Sequence, residues 1–286
     1  MNRDTKTILL LLFPAILIIV GFFIIPLAWV GLSSLAGTKT GLTFETITLR
    51  HYAKFFTDEY YIRVLFFTFK IAFWVTLISL ILGYPMAYYM IRMVKIKFVR
   101  RVLYILVVAP LFSSSIVRSF AFMVLLGRTG IVNNVLLALN LVDSPIRFLY
   151  NQSAIIIGLV YILTPFMILT IASVLQNINR SLEEAAEDLG ANKLMAFLKV
   201  TLPLSLPGIV AGSLIVFTLT VSAYVTPAVL GGNKVMVFPM LIYEQYMSIF
   251  DWHFGGALAF ILLVSTLILI LIYTRFSEQK HEVLAK

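Results

Sequence analysis

The amino-acid sequence predicts an all-α integral membrane protein with six transmembrane helices. Of its 286 residues, 61% are hydrophobic and only 12% are charged, whereas soluble domains carry about 45–50% apolar and about 25% charged residues. The mean hydropathy is correspondingly high, at +1.01. The apolar residues also fall in six runs, each close to the roughly 20 residues that a membrane-spanning helix needs.

The six apolar runs cover residues 8–32, 65–91, 102–126, 154–174, 207–230 and 254–274. The first run follows Arg3 and Lys6, as in a signal peptide, but it is longer than the roughly 7–15 residues of a signal-peptide core. We therefore expect it to be retained as a helix. No soluble segment, repeat or low-complexity stretch is evident, so residues 1–286 are expected to form a single transmembrane domain.

The distribution of positive charge predicts the orientation in the membrane. Of the 22 Lys and Arg residues, 13 fall in the termini and in the loops on their side, and 7 fall in the loops on the other side. Positive residues concentrate in cytoplasmic loops. Both termini are therefore expected to be cytoplasmic. The net charge of +9 follows from this topology, so it does not indicate nucleic-acid binding.

Several kinds of chemistry lack the residues that they need. The sequence has no cysteine and no HExxH pattern, and its three histidines are far apart, so neither a metal site nor a catalytic constellation is predicted. No P-loop pattern is present to bind ATP phosphates. No Asp or Glu lies within the six runs, which argues against an ion-coupled secondary transporter, because such relays commonly use intramembrane acids.

One polar loop, residues 177–203, has a strong helical pattern. Ser181 and Glu184 have capping-box spacing, which predicts a helix that begins at Leu182 and ends before Gly190. A second short helix is expected over 192–200. The first helix would carry a narrow apolar stripe at helical spacing, formed by Leu182, Ala185, Ala186 and Leu189. Such a stripe suits docking in a groove of a partner protein; the alternative, a helix lying on the membrane surface, usually has a basic face and bulkier apolar residues.

The loop also carries a recognisable motif: Glu184-Ala185-Ala186, then Gly190, then Val200-Thr201-Leu202-Pro203. This resembles the EAA loop of binding-protein-dependent ABC importer permeases, with Val200 in place of the usual isoleucine. The resemblance implies the transmembrane domain of a type I importer in a bacterial inner membrane. It also implies that Glu184, Ala185, Ala186, Gly190, Leu202 and Pro203 couple the chain to ABC ATPase subunits.

The family resemblance implies further partners and no cofactor in this chain. ATP would be bound by the ATPase subunits, so this chain would be a transport subunit and not an enzyme. A second permease subunit and a periplasmic or lipid-anchored solute-binding protein would complete the importer, which membrane lipid surrounds.

Other stretches resemble the spermidine/putrescine permease group more narrowly. They include Gly130-Ile131-Val132-Asn133, Gly158-Leu159-Val160-Tyr161, Gly231-Gly232-Asn233-Lys234 and Asp251-Trp252-His253-Phe254. The implied cargo is a polyamine. The alternative is an anionic or zwitterionic solute, such as an amino-acid derivative or a phosphonate, and an ion-coupled secondary transporter is the less favoured alternative.

Four residues are candidates for the translocation path: Arg118, Tyr161, Pro165 and Tyr224. A charge within a span, such as Arg118, normally faces protein or water, although it could instead pair with backbone carbonyls. Pro165 would kink its helix, and helix packing explains it nearly as well. The rings of Tyr161 and Tyr224 could attract an ammonium group through cation–π contacts.

Overall fold

The computed structural model describes residues 12–37 and 47–284, together with their side chains except those of 233 and 276–284. Residues 8–11 of the first predicted span lie outside the described residues. The described chain is almost entirely helical. Its helices are α1 (Leu12–Ser33), α2 (Arg50–Thr57), α3 (Glu59–Met93), α4 (Lys97–Val108), α5 (Ser115–Leu126), α6 (Ile131–Ala138), α7 (Gln152–Asn177), α8 (Ser181–Asp188), α9 (Lys193–Val221), α10 (Val225–Gly231), α11 (Phe238–Glu244) and α12 (Trp252–Leu284).

The prediction of six membrane-spanning helices is confirmed. Across the described ranges, six helical segments are long and apolar enough to cross a membrane. They are α1, α3, α7, α9, the first part of α12 (Trp252–Arg275), and α5 with α6 taken together (Ser115–Ala138).

The predicted boundaries of the third and fifth spans are wrong. The third run, 102–126, is interrupted after a 3₁₀ turn at Ala109–Phe112. The Ser113 hydroxyl donates to the carbonyl of Pro110 over 2.8 Å, and Ser114 caps the next helix by accepting from the N–H of Ile116. These local hydrogen bonds compete with the helix, so the run forms two helices.

The fifth run, 207–230, is divided in the same way. Its helix α9 begins much earlier than predicted, at Lys193, and ends at Val221. Residues 223–224 are not helical, and the separate helix α10 follows them. Mean hydropathy detects the apolar length of such a segment but not the break in it.

The described chain folds into two compact units. The first contains Met1–Arg63 and Phe238–Ser265. In it, two histidines hold the end of α1 by donating to backbone carbonyls: His253 Nδ1 lies 2.7 Å from the Ser33 oxygen, and His51 Nε2 lies 3.1 Å from the Ala36 oxygen. The two imidazole centroids are 6.1 Å apart. Histidines remote in sequence are therefore brought together as helix-end donors, and no group of three or more potential metal ligands occurs in the described part of the chain.

The second unit contains Val64–Val237 and Thr266–Lys286, and α7 forms its centre. In α7, 61% of the residues in the most apolar stretch are buried, the largest share of any span. Glycines of α9 allow it to approach α7 closely. A Cβ atom at Gly212 would lie 2.8 Å from the sulfur of Met167, and one at Gly208 would lie 3.0 Å from Cβ of Val174.

Candidate coupling loop and transport cavity

Helix α8 ends as predicted but begins differently. Its N-cap is Arg180, without a side-chain cap, and the N–H of Ser181 donates to Asn179 Oδ1 over 3.1 Å. The predicted capping box of Ser181 and Glu184 is therefore wrong, because the asparagine satisfies the helix start instead. Gly190 has φ of +90°, a left-handed conformation that glycine adopts without steric cost and that ends the helix.

The apolar stripe on α8 is largely exposed. Leu182 is 47% exposed and Leu189 is 90% exposed. Ala185 is exposed and Ala186 is partly buried. An exposed leucine at each end of a small-residue stripe gives the geometry that the helix-in-groove mode of recognition uses.

An ion pair joins α8 to the end of α3. Arg92 Nε lies 3.2 Å from Glu183 Oε1, and their side chains are only 6% and 19% exposed. The Nε–H group does not point at the carboxylate, so the contact is an ion pair and not a hydrogen bond. The same Oε1 accepts a 2.5 Å hydrogen bond from the Thr201 hydroxyl of α9. Glu183 thus connects three helices through one carboxylate.

Backbone carbonyls hold the segment before α8 to the same place. Arg180 Nη2 donates to the carbonyl oxygens of Ile91, at 3.1 Å, and of Arg92, at 2.8 Å. In return, Arg92 Nη2 donates to the carbonyl of Ile178 over 3.1 Å. The last carbonyls of a helix lack intrahelical donors, so the two arginines satisfy groups that would otherwise need water.

The second half of the motif lies inside a continuous helix. A helix was predicted over 192–200, separate from the fifth span, but α9 runs from Lys193 to Val221 without interruption. Asn192 Oδ1 caps its start by accepting from the N–H of Met195 over 2.8 Å. A π-helical turn at Phe197–Thr201 precedes Leu202 and Pro203. Because the wider turn shifts the hydrogen bonds, the helix continues through a proline that has no N–H group.

Sequence reasoning missed Glu183, Arg92 and Thr201, which hold α8 in place. Glu183 stands beside the motif residue Glu184, and the sequence alone assigns it no role. No spacing rule links residues so far apart along the chain. The available signal was charge: acids in one loop and cations in another loop predicted on the same side of the membrane.

Arg118 lies in the first turns of α5 and not within a continuous third span. Its Nη2 donates to the Ser115 hydroxyl at 3.4 Å. Its Nε and Nη1 atoms are buried and have no hydrogen-bond partner among the described residues. Arg118 as a whole is half-buried, and a cation in the first turns of a helix is electrostatically unfavourable. An anionic group that accepted from its unused donors would stabilise it.

Tyr161 and Pro165 line one cavity of about 570 Å³. The Tyr161 ring, 46% exposed, meets Phe122 edge to face with centroids 5.0 Å apart. Because Pro165 has no N–H, the carbonyl of Tyr161 loses its donor in the helix. The cavity therefore offers the rings of Tyr161 and Phe122 in a mainly apolar lining.

The other two path candidates do not line this cavity. Arg118 is one helical turn before Phe122, which does line it. Tyr224 immediately precedes α10, which is joined to α5 by a 3.1 Å hydrogen bond between Ser119 and Thr226 hydroxyls. The structure thus brings two of the four candidates into direct proximity.

The sequence matches a family model described as the binding-protein-dependent transport system inner membrane component over residues 79–279. The chain belongs to this family, and it is an inner-membrane permease subunit of an ABC importer. The family resemblance found in the EAA-like loop is confirmed.

Curated relatives are similar over most of the chain. The spermidine/putrescine transport system permease protein PotB of Escherichia coli (strain K12) is 34% identical over 249 residues, which cover 87% of this chain and 90% of that protein. PotB of Haemophilus influenzae is 36% identical, with 84% of each chain covered. The putative 2-aminoethylphosphonate permease PhnU of Salmonella choleraesuis is 27% identical and covers 94% of this chain and 92% of its own.

The fold is also that of solved ABC importers. A crystal structure of a bacterial ABC transporter that imports the acidic polysaccharide alginate matches with a TM-score of 0.76 at 22% identity, and covers 97% of this chain and 96% of that one. The inward-facing MetNI methionine transporter matches with a TM-score of 0.56 at 19% identity, and covers 79% of this chain and 96% of that one. At these identities the likeness establishes the fold alone.

Proposed function

We propose that the chain forms the translocation path for a polyamine, spermidine or putrescine, as one transmembrane domain of an ATP-driven importer. The observation that carries this proposal is the 34% identity to a spermidine/putrescine permease over 87% of the chain. ATP would be hydrolysed by separate ATPase subunits. A second permease and a solute-binding protein would complete the complex, with both termini of this chain cytoplasmic.

The cavity that contains Tyr161 supports a cationic cargo. Its aromatic groups, Tyr161 and Phe122, present π faces and edges, and a Tyr161 carbonyl without its helical donor would add a partial negative charge. A cation–π contact contributes about 0.5–2 kcal/mol. A polyamine could therefore be held transiently without a buried acid, which would bind it too tightly for release.

Coupling to the ATPase is proposed for the exposed stripe of α8 and the adjoining motif. Glu184, Ala185, Ala186 and Gly190 would enter a groove of the ATPase subunit, and Leu202 and Pro203 would continue into the helix α9. The support is the exposure of Leu182 and Leu189 together with the ion pair that fixes α8 to the rest of the second unit.

The test is polyamine uptake by the complete importer in ATP-loaded proteoliposomes. Tyr161→Phe should retain uptake, because it keeps the aromatic face, whereas Tyr161→Leu should lower the transport rate by roughly twofold to thirtyfold. Calorimetry on the solute-binding protein should detect putrescine or spermidine. Uptake that requires neither ATP nor the binding protein would contradict the importer mechanism. Equal rates for Tyr161→Leu and Tyr161→Phe would contradict the role of the ring.

An anionic or zwitterionic cargo is the second candidate, favoured by the unpaired donors of Arg118. If the binding protein takes up a phosphonate or a carboxylate and ignores polyamines, Arg118 becomes the better path residue. In that case Arg118→Lys should keep part of the transport of the anion and Arg118→Gln should abolish most of it.

A further inference from the structure

A second cavity, of about 480 Å³, lies where α3 and α7 end. Its walls carry four cationic side chains and two amides, namely Arg92, Lys95, Arg100, Arg180, Gln176 and Asn179. No Asp or Glu is among its lining residues. Such an arrangement of like charges around one space is costly unless an anion occupies it.

The arginines have donors left after their structural contacts. Arg180 uses Nη2 on the two carbonyls at the end of α3, and Arg100 uses Nη2 on the carbonyl of Val94 over 2.8 Å. A guanidinium has five N–H donors. The Nε atom of Arg100 is buried and has no hydrogen-bond partner within the described part of the chain. Capping the helix end therefore accounts for only part of what these side chains offer.

The positive charge of the cavity is only partly neutralised. Glu183 balances Arg92 across 3.2 Å. Neither of the two ion pairs among the described residues involves Lys95, Arg100 or Arg180. Three cations thus remain around one space. They match a group that carries negative charge and several acceptor oxygens, because guanidinium forks bind phosphate and carboxylate oxygens in pairs.

The position of the cavity along the helices narrows the ligand further. Arg92 is one residue before the end of the span Glu59–Met93, and Gln176 is one residue before the end of Gln152–Asn177. The ends of membrane spans lie at the level of the lipid headgroups. Basic pockets between helices at this depth suit anionic headgroups.

We propose that this cavity binds a phosphate group, either the phosphodiester of an anionic phospholipid or free phosphate. Arg100 and Arg180 would bind its oxygens, and Lys95 would add a mobile charge at the opening. Arg180 directly precedes α8, and Arg92 pairs with a carboxylate of α8. The bound phosphate therefore relieves the repulsion among the cations that anchor the coupling helix and stabilises that anchor.

The test is thermal unfolding of the purified full-length chain in a neutral detergent, followed by intrinsic fluorescence. The additions are short-chain phosphatidylglycerol, short-chain phosphatidylcholine, and inorganic phosphate against chloride at equal ionic strength. The double variant Lys95→Gln/Arg100→Gln is compared with Lys97→Gln/Arg101→Gln, which removes the same charge from neighbouring positions at the start of α4 that do not line the cavity.

Phosphatidylglycerol should raise Tm saturably in the wild type and in the control pair, and more than phosphatidylcholine does. In Lys95→Gln/Arg100→Gln the half-maximal concentration should rise about thirtyfold, at about fivefold for each charge. Protection by inorganic phosphate as well would identify the phosphate group alone as sufficient. Protection by the lipid only would identify the headgroup with its chains as the ligand.

Two results would overturn the proposal. One is the absence of saturable protection of the wild type by either ligand. The other is equal protection of the two double variants. If Lys95→Gln/Arg100→Gln does not fold, Lys95→Gln alone decides, because it leaves the Arg100 bond to Val94 intact and should still show the roughly fivefold shift.

Discussion

Glu183→Gln tests how the coupling helix is held. The substitution keeps the length of the side chain and an oxygen that can accept from the Thr201 hydroxyl, but it removes the negative charge. Arg92, whose side chain is only 6% exposed, would then be a buried cation without its counter-ion. The result should be a looser α8 in a protein that still folds.

The size of the effect follows from the geometry. Removing one partner of a fully buried pair costs about 3–5 kcal/mol. Glu183 is 19% exposed, so water screens part of the loss. The Thr201 bond, 2.5 Å long in the wild type, becomes a neutral one of about half the strength. We expect the substitution to destabilise the attached state of α8 by about 2–3 kcal/mol.

Hydrogen exchange measured by mass spectrometry reports the free energy of opening α8 directly. A loss of about 2 kcal/mol should speed exchange of the amides in residues 182–190 about thirtyfold if α8 opens as a local unit. Glu187→Gln is the matched control: it removes the same charge from the same helix, at an exposed position without an ion pair among the described residues. Arg92→Gln combined with Glu183→Gln removes both charges and should recover part of the protection, as a double-mutant cycle requires.

Exchange in Glu183→Gln that equals exchange in Glu187→Gln would refute the reasoning. The ion pair would then contribute nothing to the position of α8, and the hydrogen bonds made by Arg180, Arg92 and Thr201 would hold the helix instead. Amide exchange that is slower than in the wild type only in Arg92→Gln/Glu183→Gln would have a different meaning. It would show that the buried charges destabilise this site.

Three further predictions test single positions in the chain. Gly190 has φ of +90°, so Gly190→Val should destabilise the end of α8 by about 1–2 kcal/mol and lower substrate-stimulated ATP hydrolysis of the assembled importer. Gly190→Asn should retain the hydrolysis. Equal activities of the two variants would show that the left-handed end of α8 does not matter for coupling. Gly158→Ala would press its Cβ against Cδ1 of Leu230 and should lower Tm by several degrees through about 1–3 kcal/mol of overpacking, with Leu230→Ala restoring part of it. In spheroplasts of the cysteine-free chain, Ser144→Cys should react with an impermeant thiol reagent and Lys193→Cys should not; the opposite pattern would reverse the topology.

The number and approximate places of the spans could be predicted because lipid imposes a simple rule on composition and length. The breaks could not be predicted in the same way. The chain leaves the helix at Ser113 and Ser114 through side-chain hydrogen bonds to nearby backbone groups. Serine is only weakly polar, so two serines barely lower the mean hydropathy of an apolar window. The start of α9 at Lys193 could not be predicted from local rules, because Pro203 and Pro207 ordinarily begin or break a helix and here the helix runs through both.

The candidate coupling loop was predictable where local rules apply. Gly190 ends its helix because the required backbone conformation is local to that residue. The predicted cap at Ser181 is wrong because Asn179 competes for the same N–H group. The carboxylate of Glu183 meets Arg92 only through the tertiary fold, which no local pattern of charges specifies. The same holds for the cavity beside Tyr161. Pro165 stands out in the sequence, but no local pattern indicates that Phe122 lies against Tyr161.

The uninterrupted helix α9 has a mechanical consequence. It contains 29 residues, which at about 1.5 Å per residue gives a rod of roughly 43 Å, comparable to the full thickness of a bilayer. A displacement near Lys193 is therefore transmitted to Val221 through the helix itself, without an intervening hinge loop. The rod has two points at which bending is easier: the π turn at Phe197–Thr201 and Pro207, which removes a hydrogen bond inside the helix. How much of a displacement at Lys193 reaches Val221 therefore depends on how far the helix bends at these points next to Leu202 and Pro203.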